Sequence, residues 1–352
     1  MTIGNLNAAI TNHDYGYTEV SDKPCPLRET VFSGTERYKL KYKAAQARLF
    51  LKLLPFYLGS FVHKENDFFF LLTNLQQIVQ IIYSPVITSI TIEELRTLIS
   101  DHLSLFKQLF PESNILPKQH YMIHIPSMIE MFGPMIRSSC FSFESAHNYF
   151  KTLAQKQNFK NLPLSLARRQ QLRECSFFGD TDENPSSHPL FSTECKHGVA
   201  GNIREEMVEQ LGHLFEKFCL LPGIKLTVHN IQRLSWIIIY GTKFRKGGII
   251  ALDAIPETKM PVFGNIEKVW IVCGFVYFEV KKIHTIRFDE HYQAYYIKEL
   301  TEQNSFICSY ESLLDYNVFH FKLAEGKTFV PVKYYIEDLI QEHLNETSPL
   351  HR

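Results

Sequence analysis

Apolar positions recur at three- and four-residue intervals from Tyr38 to Cys175, then change to short β-branched and aromatic runs from Leu234 onward. The first pattern predicts helices over KYKAAQARLFLKLLPFYLGSF, over Phe68 to Tyr83, and over TIEELRTLISDHLSLFKQLF. In the last of these, Leu95, Leu98, Ile99, Leu103, Phe106 and Phe110 form one stripe behind the capping-box-like Thr91-Ile92-Glu93-Glu94. Pro117 opens another helix and Gly133-Pro134 ends it. Ser142 or a neighbour opens the next, with Glu144 in its first turn, where a carboxylate ordinarily complements the helix dipole.

Two stretches interrupt these patterns. Residues 1–35 are polar and turn-rich, with Lys23-Pro24-Cys25-Pro26 enforcing extended backbone, and are expected to be an extended lead-in lying over other elements. Residues 179–203 are dense in Gly, Pro, Ser, Asp and Asn, as a linker would be. After a short helix, REEMVEQLGHLFEKFCL, strands are predicted at 234–240, 248–252, 262–271, 275–283, 294–297, 306–310, 319–322 and 328–333, with a closing helix over YYIEDLIQEHL. Gly247-Gly248, Cys273-Gly274 and Glu325-Gly326 supply turns between them. The expected fold is therefore α+β: a helical domain over 36–178, followed over 204–345 by a small antiparallel β-barrel or sandwich with flanking helices.

Composition narrows the function classes. The chain has 352 residues and is 45% hydrophobic, enough for a packed core, and its 37 basic and 37 acidic residues cancel. Attraction to nucleic acid must then come from a local patch. The seven cysteines are scattered and form no C-x-x-C pair, so a reducing, intracellular compartment is expected, and the first residues lack a secretory pattern. The most apolar window, Asp67 to Val86, contains Asn74, Gln76, Gln77 and Gln80 and reads as a buried helix with no membrane role.

Three constellations carry candidate chemistry. His120 and His124, four apart, share a helix face and offer two zinc ligands; further donors would come from Cys140, His147, Cys175, Cys195 or His197. Hydrogen-bonded packing histidines are the competing reading. Lys151, Lys156, Lys160, Arg168, Arg169 and Arg173 form a basic row that contacts phosphates or is simply a solvated helix face. The stretch Arg287 to Tyr295 mixes charges and aromatics, as an aromatic cage or an ordinary hairpin with cross-strand aromatic pairs would. P-loop, dinucleotide, G-x-S-x-G and H-E-x-x-H motifs are absent from the sequence.

The succession AAQARLFLKLLPFYLG, LPKQHYMIHIPSMIEMFGP, FSFESAHNYFKTLAQKQNFKN, GNIEKV, IRFDEHYQAYYI and FVPVKYYI resembles the C-terminal half of transposases of the CACTA (En/Spm-like) group. The Pro117 to Asn161 block resembles, more distantly, the end of the V(D)J recombinase catalytic core: His124-Ile125-Pro126 matches its HxP-like step, and Glu144, Ser145, Phe150 and Lys151 match its ESxxxxF(K/R) pattern. The resemblance implies that Glu144 is the third carboxylate of a DDE triad, which holds two Mg²⁺ or Mn²⁺ ions for in-line attack on a phosphodiester. It implies that the basic row faces DNA, that the protein is nuclear, and that His124 lies where a zinc-binding histidine does, with His120 one position off.

The two aspartates of such a triad sit on buried strands, and Asp14, Asp22 and Glu29 lie in polar segments without that pattern. One carboxylate offers too few hard oxygen ligands for two metals. The expectation is a partial transposase, inert alone, that binds DNA at transposon ends, self-associates or joins a full-length relative. The alternative is a host-adopted interaction module in which the β-domain reads a protein partner.

Overall fold

The computed structural model describes residues 2–29, 40–138, 140–155, 161–178, 195–201, 203, 205–217, 226–299 and 305–347. The first helix, α1 (Ile3–Asn12), starts at Thr2, whose hydroxyl accepts from Asn5 N at 3.3 Å. Ile3, Leu6, Ala9 and Ile10 turn its apolar stripe onto α3 (Ala44–Leu58), where Leu49, Phe50, Leu53 and Tyr57 are buried. Between them lies the short α2 (Gly16–Glu19). The expected extended lead-in is thus helical over its first part and belongs to the core, with Ile10 fully buried. Asparagines interspersed among its apolar residues hide the period, and one of them, Asn7, clasps Leu27 through both its amide groups at 2.8 and 2.6 Å.

Helix α4 (Asp67–Ile82) begins where Asn66 Oδ1 accepts from Phe69 N at 3.0 Å, and α5 (Ser89–Leu109) begins at Thr88. The two pack through Ile78, Ile81, Ile92, Leu95 and Ile99. The Asp67 to Val86 window is helical as far as Ile82 and buries one face, Asn74, Gln76 and Gln80 included, while Phe68 and Phe70 are exposed; no described helix is long and apolar enough to cross a membrane. Next come α6 (Pro117–Tyr121), α7 (Ile125–Phe132), α8 (Met135–Ser138), α9 (Phe141–Gln155) and α10 (Leu162–Phe178). Helix α7 is tied to α5 by Ile129 in the core and by Arg96, which meets Glu130 at 2.7 Å.

The C-terminal portion is an antiparallel sheet curled into a half-barrel, so the fold is α+β. Its strands are β1 (Cys195–His197), β2 (Ala200–Gly201), β3 (Ile231–Leu234), β4 (Trp236–Ile239), β5 (Thr242–Arg245), β6 (Ile249–Ile255), β7 (Met260–Val272), β8 (Phe275–Asp289), β9 (Ala294–Glu299), β10 (Phe306–Ser309), β11 (Asp315–Phe319), β12 (Lys322–Ala324) and β13 (Lys327–Val330). The main sheet runs β11-β6-β7-β8-β9-β13-β12, with β3 against β7 and β10 against β8, while β1-β4-β5 form a small second sheet. The long β7–β8 hairpin closes on Cys273-Gly274, both at positive φ (51° and 86°), the two-residue turn whose twist matches antiparallel strands. Register shifts in the β6–β7, β7–β8 and β8–β9 pairs supply the curl.

Three strand expectations change. Part of the expected linker, at Cys195–His197 and Ala200–Gly201, forms edge strands. Strand β5 stands where none was predicted. Residues 319–322, expected as one strand, instead hold the end of β11, a break at 320–321 and the start of β12. Two- to four-residue strands hold too few positions for a period to show.

Helix α11 (Glu205–Lys217) covers one end of the sheet with Val208, Leu211 and Phe215 on Trp270 and Tyr277. Helix α12 (Glu337–Thr347) covers its other side through Ile336 and Ile340. The helical and β portions share a seam. Phe56 of α3 packs against both Tyr292 and Phe329, with ring centroids at 5.4 and 5.9 Å. The chain leaving β13 runs along α3, α4 and α5: Arg48 donates to Lys333 O at 3.0 Å, Ser84 Oγ to Tyr335 O at 2.9 Å, and Tyr335 N to Gln80 O at 3.1 Å. Buried Asp338 of α12 then accepts from Thr88 N at 2.8 Å, Thr88 Oγ1 at 3.1 Å and Thr91 Oγ1 at 2.9 Å, so one carboxylate caps α5 from the far end of the sequence.

Removing that carboxylate orphans a helix terminus and two hydroxyls together. Asp338→Ala is expected to lower unfolding free energy by about 3 kcal/mol in urea titrations, whereas Glu342→Ala, exposed on the same helix, changes it by less than about 0.5 kcal/mol.

Candidate functional site

The densest set of buried charges lies in the seam. Glu19, at the end of α2, meets Lys52 Nζ of α3 at 2.6 Å and Lys322 Nζ of β12 at 3.6 Å, and Lys322 also donates to Asp14 O at 2.6 Å. Burial pushes the Glu19 carboxyl up, but the two ammonium groups outweigh it and hold the group down at about 2. Burial lowers Lys322, with Glu19 opposing the shift.

Two histidines frame this pair. His13 packs edge-on against Tyr15 and Tyr57, and His320 accepts or donates at 2.9 Å with the Thr18 hydroxyl. Burial, assisted by Lys322, brings each down to about 4, against attraction from Glu19 and Asp14. Gly16, at φ 63°, passes so close to His320 that a Cβ there would lie 2.3 Å from the ring. Only glycine permits both that backbone and that approach.

Beside the pair is a cavity of about 350 Å³ between α3, α4 and the strand leaving β13. Glu19, Arg48, Lys52, Gln80, Tyr83 and Lys333 line it with several aliphatic side chains. Arg48 and Lys52, four apart on α3, share one face, and the Arg48 guanidinium lies 3.9 Å from the Tyr83 ring centroid. Burial, then repulsion from Lys52, lowers Lys333, whose Nζ donates to Asn317 Oδ1 at 3.1 Å. The carboxylate held at about 2 is unsuited to proton transfer near neutrality, and its ion pairs tie α2, α3 and β12 together.

Sequence reasoning passed over every member of this cluster. Glu19 sits in a polar segment, and Lys322 comes to it from the other end of the chain. The one available signal was Lys52, a charge in the middle of the apolar run LFLKLLPF.

The residues singled out from sequence lie elsewhere. Glu144 falls in the first turn of α9, and the side chains of residues 141–146 lie outside the described residues. Phe150 is partly buried. Lys151, Arg168 and Arg169 are exposed on α9 and α10; Lys156, Lys160 and the Arg173 side chain are outside the described residues. His120 and His124 are exposed and adjacent, with their rings edge-on at 5.3 Å. Among the described residues no three His, Cys, Asp or Glu side chains converge as a metal site would need. The Arg287 to Tyr295 stretch is a hairpin end: Asp289 Oδ1 accepts from His291 N and Tyr292 N, both at 3.2 Å, and Tyr292 and Tyr295 are buried.

No family model, no curated protein and no solved structure matches the chain.

The seam makes stability depend on pH with a definite sign. Histidines brought down to about 4 in the fold from an ordinary 6.5 stay neutral while the unfolded chain takes up protons, so stability falls as pH drops from 6.5 toward 4. Glu19, held at about 2 against an ordinary 4.5, adds stability above 4.5 that is lost as pH falls toward 2. The His13→Gln, His320→Gln double variant is expected to flatten the first limb of the urea-midpoint profile and keep the second; an unchanged profile contradicts this. Glu19→Gln, which strands two buried ammonium groups, is expected to cost about 3–5 kcal/mol at pH 7.

Proposed function

We propose that this chain is the C-terminal part of a CACTA-like DDE transposase, nuclear, unable to cleave DNA by itself, and able to bind DNA through α9 and α10. The observation that supports this reading best is an uncovered apolar face within the block that carries the resemblance. Helix α7 buries Ile129 on one side, yet Met128, Met131 and Phe132, at the spacing of a second stripe, are 41%, 74% and 65% exposed. Leu116, Tyr121 and Ile123 just before it are exposed as well. Apolar surface concentrated in this way marks a partner surface. In the family resembled, this block lies beside the nuclease-type sheet that carries the two aspartates, so the proposed occupant is such a sheet, supplied by another polypeptide segment.

The basic row fits beside it. Residues 141–178 hold six cations, Lys151, Lys156, Lys160, Arg168, Arg169 and Arg173, against two acids, Glu144 and Glu174, in a chain whose total charge is zero. A local excess of this kind attracts phosphates without a whole-molecule field. Glu144 would serve as a metal ligand only together with the absent aspartates, and Mg²⁺ or Mn²⁺ would be bound only in that assembly. Zinc at His120 and His124 would require donors from a partner or from residues outside those described.

With Mn²⁺ and supercoiled plasmid, the purified chain is expected to leave the plasmid uncut; nicking by the wild type that Glu144→Ala abolishes would refute inertness. DNA affinity is expected to fall with salt. Reversing Lys151, Arg168 and Arg169 to Glu should weaken binding at least tenfold and reduce the log–log salt slope by roughly 0.9 for each phosphate no longer neutralised. Binding that ignores all three reversals favours the interaction-module reading. With that face left uncovered, the chain alone is expected to self-associate through it, and Met131→Lys with Phe132→Glu should shift it toward monomer in light scattering.

A further inference from the structure

We propose that the cavity between α3, α4 and the strand leaving β13 is a binding site for a small organic oxyanion, a carboxylate or phosphate monoester on a flat apolar body. This site is separate from the DNA-binding reading and does not rest on it. Three features of the cavity point to the ligand class.

The first is charge. Glu19 is the most buried acid of the lining, and its charge is answered by Lys52 and Lys322 together. That leaves Arg48 and Lys333 lining the cavity against half-buried Asp22. Asp315, the next acid behind Lys333, lies outside the lining; its Oδ1 accepts from Tyr334 Oη at 2.8 Å and from Asn317 Nδ2 at 2.8 Å, and its charge acts on Lys333 from behind the wall. Lys333 itself donates to a neutral amide oxygen. Among the lining residues three cations, Arg48, Lys52 and Lys333, face two carboxylates, Glu19 and Asp22, and an anion in the cavity would meet that excess.

The second is a pair of buried amides. Gln80 is 6% exposed and its Nε2 has no partner among the described residues; Gln76 is 2% exposed and its Oε1 has none. Both residues line the cavity, with these two atoms packed just behind its wall, so a change of side-chain rotamer would turn them to a ligand. A buried donor without an acceptor is costly, and a leucine at that position of an apolar helix would avoid the cost, so the retained amide indicates an acceptor that arrives with a ligand. Gln80 Nε2 would donate to the oxyanion, and Gln76 Oε1 would accept from a hydroxyl or N–H on the ligand body.

The third is shape. The Arg48 guanidinium is held flat by the Tyr83 ring and by its bond to Lys333 O, leaving a planar fork of the kind that engages carboxylate or phosphate through two parallel N–H groups. The remaining wall, from Ala44, Ala45, Leu49, Val79 and Val332, is apolar and would be wasted on a bare phosphate ion. The volume, about 350 Å³, is that of small-molecule sites.

The test uses the full chain with benzoate, phenyl phosphate, inorganic phosphate and, at matched ionic strength, sodium chloride, read by thermal denaturation and calorimetry. Benzoate or phenyl phosphate is expected to raise the melting temperature saturably, with the preferred one of the two identifying the oxyanion; inorganic phosphate should do so at least tenfold more weakly. Arg48→Met should abolish the effect. Because Arg48 also ties the seam and its loss could unfold the chain, Gln80→Leu is the second variant: it should leave the unliganded melting temperature unchanged or higher while weakening binding at least tenfold. Stabilisation no greater than with sodium chloride, or Gln80→Leu binding as tightly as the parent, would overturn the proposal. Equal binding of inorganic and phenyl phosphate would overturn the apolar-body assignment.

Discussion

The carboxylate of Glu19, buried between the ammonium groups of Lys52 and Lys322, joins three stretches of chain that are far apart in sequence. One belongs to the N-terminal segment, one to the core helix of the helical portion, and one to the edge of the half-barrel. Each of these charges would be prohibitive alone in such surroundings, and together they are tolerable only in one arrangement. The pair therefore fixes register more than it adds stability. Gly16, Thr18, His13 and His320 fit around it with the same intolerance, since no side chain larger than hydrogen fits between residue 16 and the His320 ring.

The strand leaving β13 extends this logic. Between Val330 and Ile340 it crosses α3, α4 and α5 in turn, giving carbonyls to Arg48 and Ser84, an amide to Gln80, and the Asp338 carboxylate to the start of α5. A polypeptide that threads between a helix pair and a sheet must satisfy its own polar groups there, and side chains long enough to do so leave space behind them. The cavity lined by Arg48, Gln80 and Lys333 is that space. Seams between layers are where small-molecule pockets commonly form, and this one has the charge and the unpaired amides to be selective.

The block from α6 to α10 stands apart from this seam in character. It is held to the body through Ile129 and the Arg96–Glu130 pair, exposes apolar side chains, and carries the basic row. The two regions differ in surface chemistry: the seam buries charges around a small cavity, and the helical block exposes apolar and basic side chains. The helical and β portions themselves are locked together through the seam.

Much of the architecture could be read from the residues. The stripe from Leu95 to Phe110, the helix within the Asp67 to Val86 window, the Cys273-Gly274 hairpin and the α-then-β order follow from periodicity and turn chemistry, because these are local properties set by a few neighbouring side chains. Glu144 at the head of a helix was legible for the same reason. The N-terminal helix, the two- to four-residue strands and the break between β11 and β12 were not, since their signals are shorter than a period or masked by asparagines. No local pattern could have brought Glu19 to Lys322, Arg48 to Lys333, or Asp338 to Thr88, which are contacts between residues hundreds of positions apart. The sequence by itself determined the elements and their order. The tertiary structure alone decided which charges are buried and what they face, because desolvation and pairing are properties of a neighbourhood that exists only after the chain has closed on itself.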